Sequence, residues 1–86
     1  MTETEKAVIN IVADQAMIDR SALSPLTRLD TLPLDSVMMV EIIFALEENF
    51  NIHIPFNANT PEAKEFNLDT IGSIATAIDH LAAQPA

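Results

Sequence analysis

No cysteine occurs among the 86 residues. That excludes a disulfide framework, a thiol nucleophile of the chain's own and a zinc knuckle. Glycine is confined to Gly72, so there is no Gly-rich loop to cradle a nucleotide phosphate, and the dipeptides that turn β-hairpins are missing as well. Basic residues are scarce, 4 against 13 acids, for a net charge of −9. Such a surface repels nucleic-acid phosphates and speeds encounter with basic protein patches. No apolar run approaches the ~20 residues of a membrane span. The opening Met1-Thr2-Glu3-Thr4-Glu5-Lys6 is acidic and polar, unlike the basic start of a secretory signal. The expectation is a soluble, cytoplasmic, monomeric chain of one domain, with little room for an enclosed active site. Its apolar content of 49% argues against the disorder that a strong acidic balance can signal.

What is present is helical periodicity. Thr2 to Glu5 fits a capping box, and Ala7, Val8, Ile11 and Val12 continue a first helix over about 3–18. Ser24-Pro25 and Leu32-Pro33 interrupt the pattern, and Leu23, Leu26, Leu29 and Leu32 recur at threes, as if to pin a long loop to a core. A second helix is expected over 36–49. Met39, Ile43, Leu46 and Phe50 fall on its core face, with Met38, Glu41, Ala45 and Glu48 towards solvent. The alternation of Phe50 to Phe56 suggests a strand, but no second strand exists to pair with it. An extended connector with inward isoleucines is the better reading. Thr60-Pro61-Glu62 starts a short helix over 60–66, and Asp69 or Thr70 caps a last helix over 70–82, with Ile71, Ile74, Ala75, Ile78 and Leu81 as its stripe. The fold class is therefore all-α, an irregular four-helix bundle of three main helices and one short one.

Ser36 is the residue with the most chemical interest. It stands in Leu34-Asp35-Ser36-Val37, where a polar loop gives way to an apolar helical run. A serine there can simply cap the helix, or it can be the attachment point of a prosthetic arm, which its flanks favour. Catalysis fares poorly, since no Gly-x-Ser-x-Gly elbow surrounds Ser36 and only His53 and His80 could serve as a base. No metal-ligand spacing is present, and Glu47-Glu48 read as a solvated face. Met38 beside Val37 and Ser36 reads as part of a docking surface, because methionine adapts to varied partners.

Taken together, these segments resemble the acyl carrier proteins. Asp35-Ser36-Val37 is similar to the family's Asp-Ser-Leu motif, with valine for leucine. Val40 to Phe50 resembles its apolar-Glu-apolar…Leu-Glu-Glu-x-Phe run, and Phe50 to Pro55 its Phe-x-Ile-x-Ile-Pro pattern. Asp69 to Leu81 looks like the family's last helix, so the likeness covers nearly the whole chain. The resemblance implies that a phosphopantetheinyl transferase moves 4′-phosphopantetheine from coenzyme A onto Ser36. The terminal thiol then holds an acyl or aminoacyl group as a thioester. It also implies partner ligases, synthases or transferases of fatty acid, polyketide or related biosynthesis, whose basic patches meet Glu41 and Glu48.

Three departures point to a specialised stand-alone carrier. Pro33 stands where the family usually has glycine, stiffening the approach to Ser36. Met38 replaces a common acid, and the connector from Asn57 to Asp69 is longer than the family's by a few residues. An interaction module of the same fold that has lost the arm is the alternative. The cargo is not legible in the residues.

Overall fold

The computed structural model describes residues 1–54 and 69–83. Three α-helices and no strand occur among them, so the chain is all-α. The helix expected over 60–66 lies outside the described residues. Helix α1, Glu3–Ala16, opens on a reciprocal capping box. The Glu5 N–H donates to the Thr2 hydroxyl at 3.0 Å, and the Thr2 N–H donates to Glu5 Oε1 at 2.7 Å. Helix α2 spans Ser36–Phe50 and α3 spans Ile71–Ala82. Thr70 caps α3 by the same device, with Ser73 as its reciprocal partner.

Each helix buries one stripe: Val8, Ile9, Val12 and Ala13 from α1, Ile42, Ile43 and Leu46 from α2, and Ile71, Ile74, Ala75 and Ile78 from α3. Helix α1 packs against both others, and Thr4 Oγ1 donates to Asp79 Oδ1 across the α1–α3 seam at 2.5 Å. Leu23, Leu29 and Ile54 complete one core that holds no buried polar residue among the described residues. Each large aliphatic side chain fully removed from water contributes about 1.5–3 kcal/mol, so this apolar core is the main source of stability. On α2 the buried stripe is Ile42, Ile43 and Leu46, while Met39 and Phe50, expected in the core, are half-buried against it.

The segment between α1 and α2 contains two single-turn 3₁₀ pieces, Arg20–Ala22 and Leu29–Thr31. Asp19 starts the first, accepting from both the N–H and the hydroxyl of Ser21 at 3.0 Å, and these bonds hold its carboxyl below the usual value. Of the four recurring leucines, Leu23 and Leu29 are buried and Leu32 is half-buried, but Leu26 is 86% exposed. Leu26 rides the tip of a turn closed by the Thr27 N–H on the Ser24 carbonyl at 3.0 Å, which turns it away from the core.

The backbone of this turn faces the start of α3. Gly72 N–H donates to the Pro25 carbonyl at 2.7 Å and Ile71 N–H to the Thr27 carbonyl at 3.0 Å. Leu29 N–H donates back to the Asp69 carbonyl at 3.0 Å, and Arg28 and Thr70 form an isolated antiparallel bridge. The first amides of any helix lack partners within it; here loop carbonyls supply them. The contact is so close that a Cβ on Gly72 would lie 2.9 Å from the Pro25 oxygen.

Helices α1 and α2 end on left-handed residues that are not glycine, Met17 (φ 57°) and Asn51 (φ 53°). Asparagine tolerates this conformation; methionine does so at a cost of roughly 1 kcal/mol. Beyond α2, Ile52 is half-buried and Ile54 is buried, as the inward-isoleucine reading expects. Glu47 corrects the expectation of a solvated face. Its side chain is only 21% exposed, because Glu47 Oε2 accepts from the Ile54 N–H at 2.8 Å and lies 3.3 Å from His53 Nδ1. It clasps the connector to the end of the helix.

Two stability predictions follow from the backbone. Gly72→Ala is expected to destabilise by about 1–2 kcal/mol in urea unfolding, because the new methyl collides with the loop carbonyl and a backbone hydrogen bond must stretch. An unobstructed Gly→Ala change in a helix gains up to about 1 kcal/mol instead, so the sign of the change is the test. Met17→Gly is expected to stabilise by about 0.5–1 kcal/mol, since the side chain is 92% exposed and has little packing to lose. A loss of stability there would show that Met17 makes contacts worth more than its backbone cost.

Candidate functional site

The loop delivers the chain to α2 through a series of anchored residues. Leu32 N–H donates to the Leu29 carbonyl at 3.1 Å, and Leu34 N–H donates to the Leu32 carbonyl at 2.8 Å, closing a three-residue turn around Pro33. Leu32 and Leu34 are half-buried and packed against the core, whereas Pro33 between them is exposed. Asp35 follows in extended conformation and is the N-cap. Its Oδ1 accepts from the Met38 N–H at 2.8 Å, and its carbonyl accepts from the Met39 N–H at 3.0 Å.

Because Asp35 takes the capping role, Ser36 is released from it. Ser36 is the first helical residue and is exposed. No described residue forms a hydrogen bond to its hydroxyl or to the N–H groups of Ser36 and Val37. The site therefore presents an unengaged alcohol beside open backbone donors, at the end of a helix where the dipole favours negative charge. Its chemical capacity is that of an acceptor for a phosphoryl-linked group.

A catalytic dyad does not form. Ser36 opens α2 and His53 lies beyond its other end, where it faces Glu47. A helix of 15 residues separates them by about 22 Å. His80 sits in the last turn of α3 and makes no hydrogen bond to Ser36. No group of His, Cys, Asp or Glu able to hold a metal occurs among the described residues.

The outer face of α2 runs down from Ser36. Val37, Glu41, Phe44 and Glu48 are spaced by four, three and four residues and all are exposed. Val37 is 64% and Phe44 60% exposed, which makes an alternation of apolar and acidic groups along one stripe. Met38 does not belong to it. It is half-buried rather than facing solvent, because it stands one helical turn before the buried Ile42. Ala45 is also half-buried. Apolar patterning does not single out Phe44, since most non-acidic positions of 36–50 are apolar. Its seven-residue spacing from Val37 and its place between Glu41 and Glu48 are the signal that could have found it.

With this geometry in view, comparison with known proteins is specific. Residues 6–78 match the family model described as phosphopantetheine attachment site. Acyl carrier protein AcpXL of Rhizobium etli is 33% identical over 92 aligned positions, covering 100% of both chains. Its namesake in Brucella melitensis is 32% identical over 89 positions, covering 96% of each. Acyl carrier protein 2, mitochondrial, of Arabidopsis thaliana is 33% identical over 98% of this chain and 60% of its own length. The chain thus belongs to the acyl carrier protein family, as a non-catalytic carrier whose cofactor is covalently attached 4′-phosphopantetheine.

Proposed function

We propose that Ser36 is the attachment residue. The chain, acting as a single carrier domain, holds an acyl or aminoacyl group for partner enzymes of fatty acid, polyketide or related biosynthesis. The observation that supports this most directly is the exposed, unbonded Ser36 hydroxyl on a helix already capped by Asp35. The residues fit a phosphodiester there. Two backbone N–H groups stand open beside the alcohol, and the nearest carboxylate, Asp35, is turned into its own helix by the Met38 N–H.

In the loading step the Ser36 oxygen attacks the pantetheine-bearing phosphorus of coenzyme A. The new Ser36 O–P bond forms as the pyrophosphate P–O bond breaks. Adenosine 3′,5′-bisphosphate leaves, and the hydroxyl proton passes to a base of the transferase. When attached, the arm supplies the thiol that this cysteine-free chain lacks, and thereby a thioester linkage for cargo. The chain's own residues hold the arm's base in one orientation and offer partners a surface.

That surface is the Val37, Glu41, Phe44 and Glu48 stripe, with Met38 and Val40 at its margin. Glu41 and Glu48 set encounter rate and orientation with Lys or Arg on the transferase and the biosynthetic enzymes. Phe44 supplies the apolar anchor around which such an interface packs. No helix among the described residues is long and apolar enough to cross a membrane.

Incubated with coenzyme A and a broad-specificity phosphopantetheinyl transferase, the protein is expected to gain one phosphopantetheinyl unit by intact mass, and Ser36→Ala to gain none. An unchanged mass with several transferases would leave an interaction module without an arm. For the docking face, Phe44→Ala is expected to raise the KM of the transferase for the carrier at least about fivefold, the factor for a truncation cost of ~1 kcal/mol. Glu41→Lys and Glu48→Lys are expected to slow loading in a way that fades with added salt, all three with melting temperatures near the parent's. Unchanged kinetics in all three would move the docking surface off this face.

A further inference from the structure

The segment 32–35 carries more local constraint than a loop beside a modification site requires. Leu32 and Leu34 are held by the core on either side of an exposed proline, and the Leu34 N–H closes onto the Leu32 carbonyl at 2.8 Å. Proline's ring holds φ near −65°, close to the value at the centre of an inverse γ-turn. The ring therefore fixes the one residue in this segment that neither packing nor a hydrogen bond orders. Directly after it, the Asp35 carboxylate and carbonyl take the amides of Met38 and Met39. Upstream, Leu29 is buried and its N–H is tied to Asp69 next to α3. Every link between the start of α3 and Ser36 is thus fastened, by apolar burial, by backbone bonding or, at Pro33, by covalent geometry.

We propose that Pro33 is a positioning residue for the modification of Ser36: its ring keeps the mouth of α2 in the one conformation that the transferase binds. This rests on the attachment reading given above. A modifying enzyme must seat the Ser36 hydroxyl against a phosphorus atom, and a site only fractionally in the competent arrangement binds weaker by that fraction. Pro33 acts on that fraction alone. It is exposed and two residues short of the cap, so it neither touches the reacting oxygen nor fills the core.

The test compares apo-protein with Pro33→Gly and Pro33→Ala, using coenzyme A, a phosphopantetheinyl transferase and intact-mass kinetics. Pro33→Gly is expected to raise KM for the carrier about two- to fivefold, the factor that corresponds to the entropy a proline removes. Pro33→Ala is expected to fall between Gly and the parent. The kcat of both is expected to match the parent's, and the melting temperature to fall by no more than about 4–8 °C, the shift for the same entropy in a domain of this size. Amide exchange at Met38 and Met39 should quicken in Pro33→Gly while that of α1 stays as in the parent. A KM for Pro33→Gly at or below the parent's, or a fall in kcat at constant KM, overturns the proposal. So does unaltered exchange at Met38 and Met39. Should Pro33→Gly unfold, the same readouts on Pro33→Ala decide. Absence of any mass gain in the parent would instead refute attachment at Ser36, and the exchange measurement would still report whether Pro33 orders the helix mouth.

Discussion

The close approach of the Pro25 carbonyl to the amide of Gly72 organises the molecule beyond its apolar core. Helix starts leave N–H groups without partners, and a long loop leaves carbonyls in the same condition. Here each solves the other's problem, through Gly72 on Pro25, Ile71 on Thr27 and Leu29 on Asp69. The arrangement needs a position with no side chain, and the chain's single glycine stands there. Once the loop is fixed to α3, Leu23 and Leu29 can enter the core, and the chain reaches Leu34 and Asp35 from a fixed direction. The geometry at Ser36 is therefore settled by contacts made at the far end of the loop as much as by its neighbours.

The charge distribution is consistent with a chain that works by being found. Thirteen acids against four bases repel like molecules and nucleic acids and draw in basic surfaces. Part of that charge is used locally. Arg28 forks onto Asp30 through Nε at 3.2 Å and Nη2 at 2.8 Å, which raises the pKa of the guanidinium and lowers that of the carboxyl. Both groups are exposed, so the pair orders the loop surface more than it stabilises the fold. Glu41 and Glu48 have no such partner among the described residues and remain available to a second protein.

Much of this was legible in the residues, and the failures have common causes. Helix starts could be read because capping is local: Thr2 with Glu5 and Thr70 with Ser73 form their boxes within four residues. The stripe of α3 could be read because its polar face is distinct. On α2 the apolar residues run almost all the way round, so periodicity could not decide which of them face the core. Met38 reads as outward yet is half-buried, and Phe44 stands out in no pattern though it is exposed. Glu47 escaped because its partner is a backbone N–H seven residues on, which no side-chain pattern announces. Leu26 escaped because a recurrence of three says nothing about a turn tip. The serine itself could be singled out, but that Asp35 would do the capping depends on backbone geometry.

The core and the proposed docking face occupy opposite sides of α2. Ile42, Ile43 and Leu46 face inward and carry the stabilisation; Val37, Glu41, Phe44 and Glu48 face outward and contribute little to it. This separation leaves the outer side free to vary without loosening the bundle. The mouth of the helix is fastened separately, by Asp35 accepting from the Met38 and Met39 amides. A surface built from a few exposed groups on one helix has little area with which to remodel itself on binding, so under the proposed docking face specificity would come from the angles at which those groups are held relative to Ser36. Met38 lies between the two sides, half-buried and next but one to Ser36, so a change made there for a partner would also alter partly buried surface.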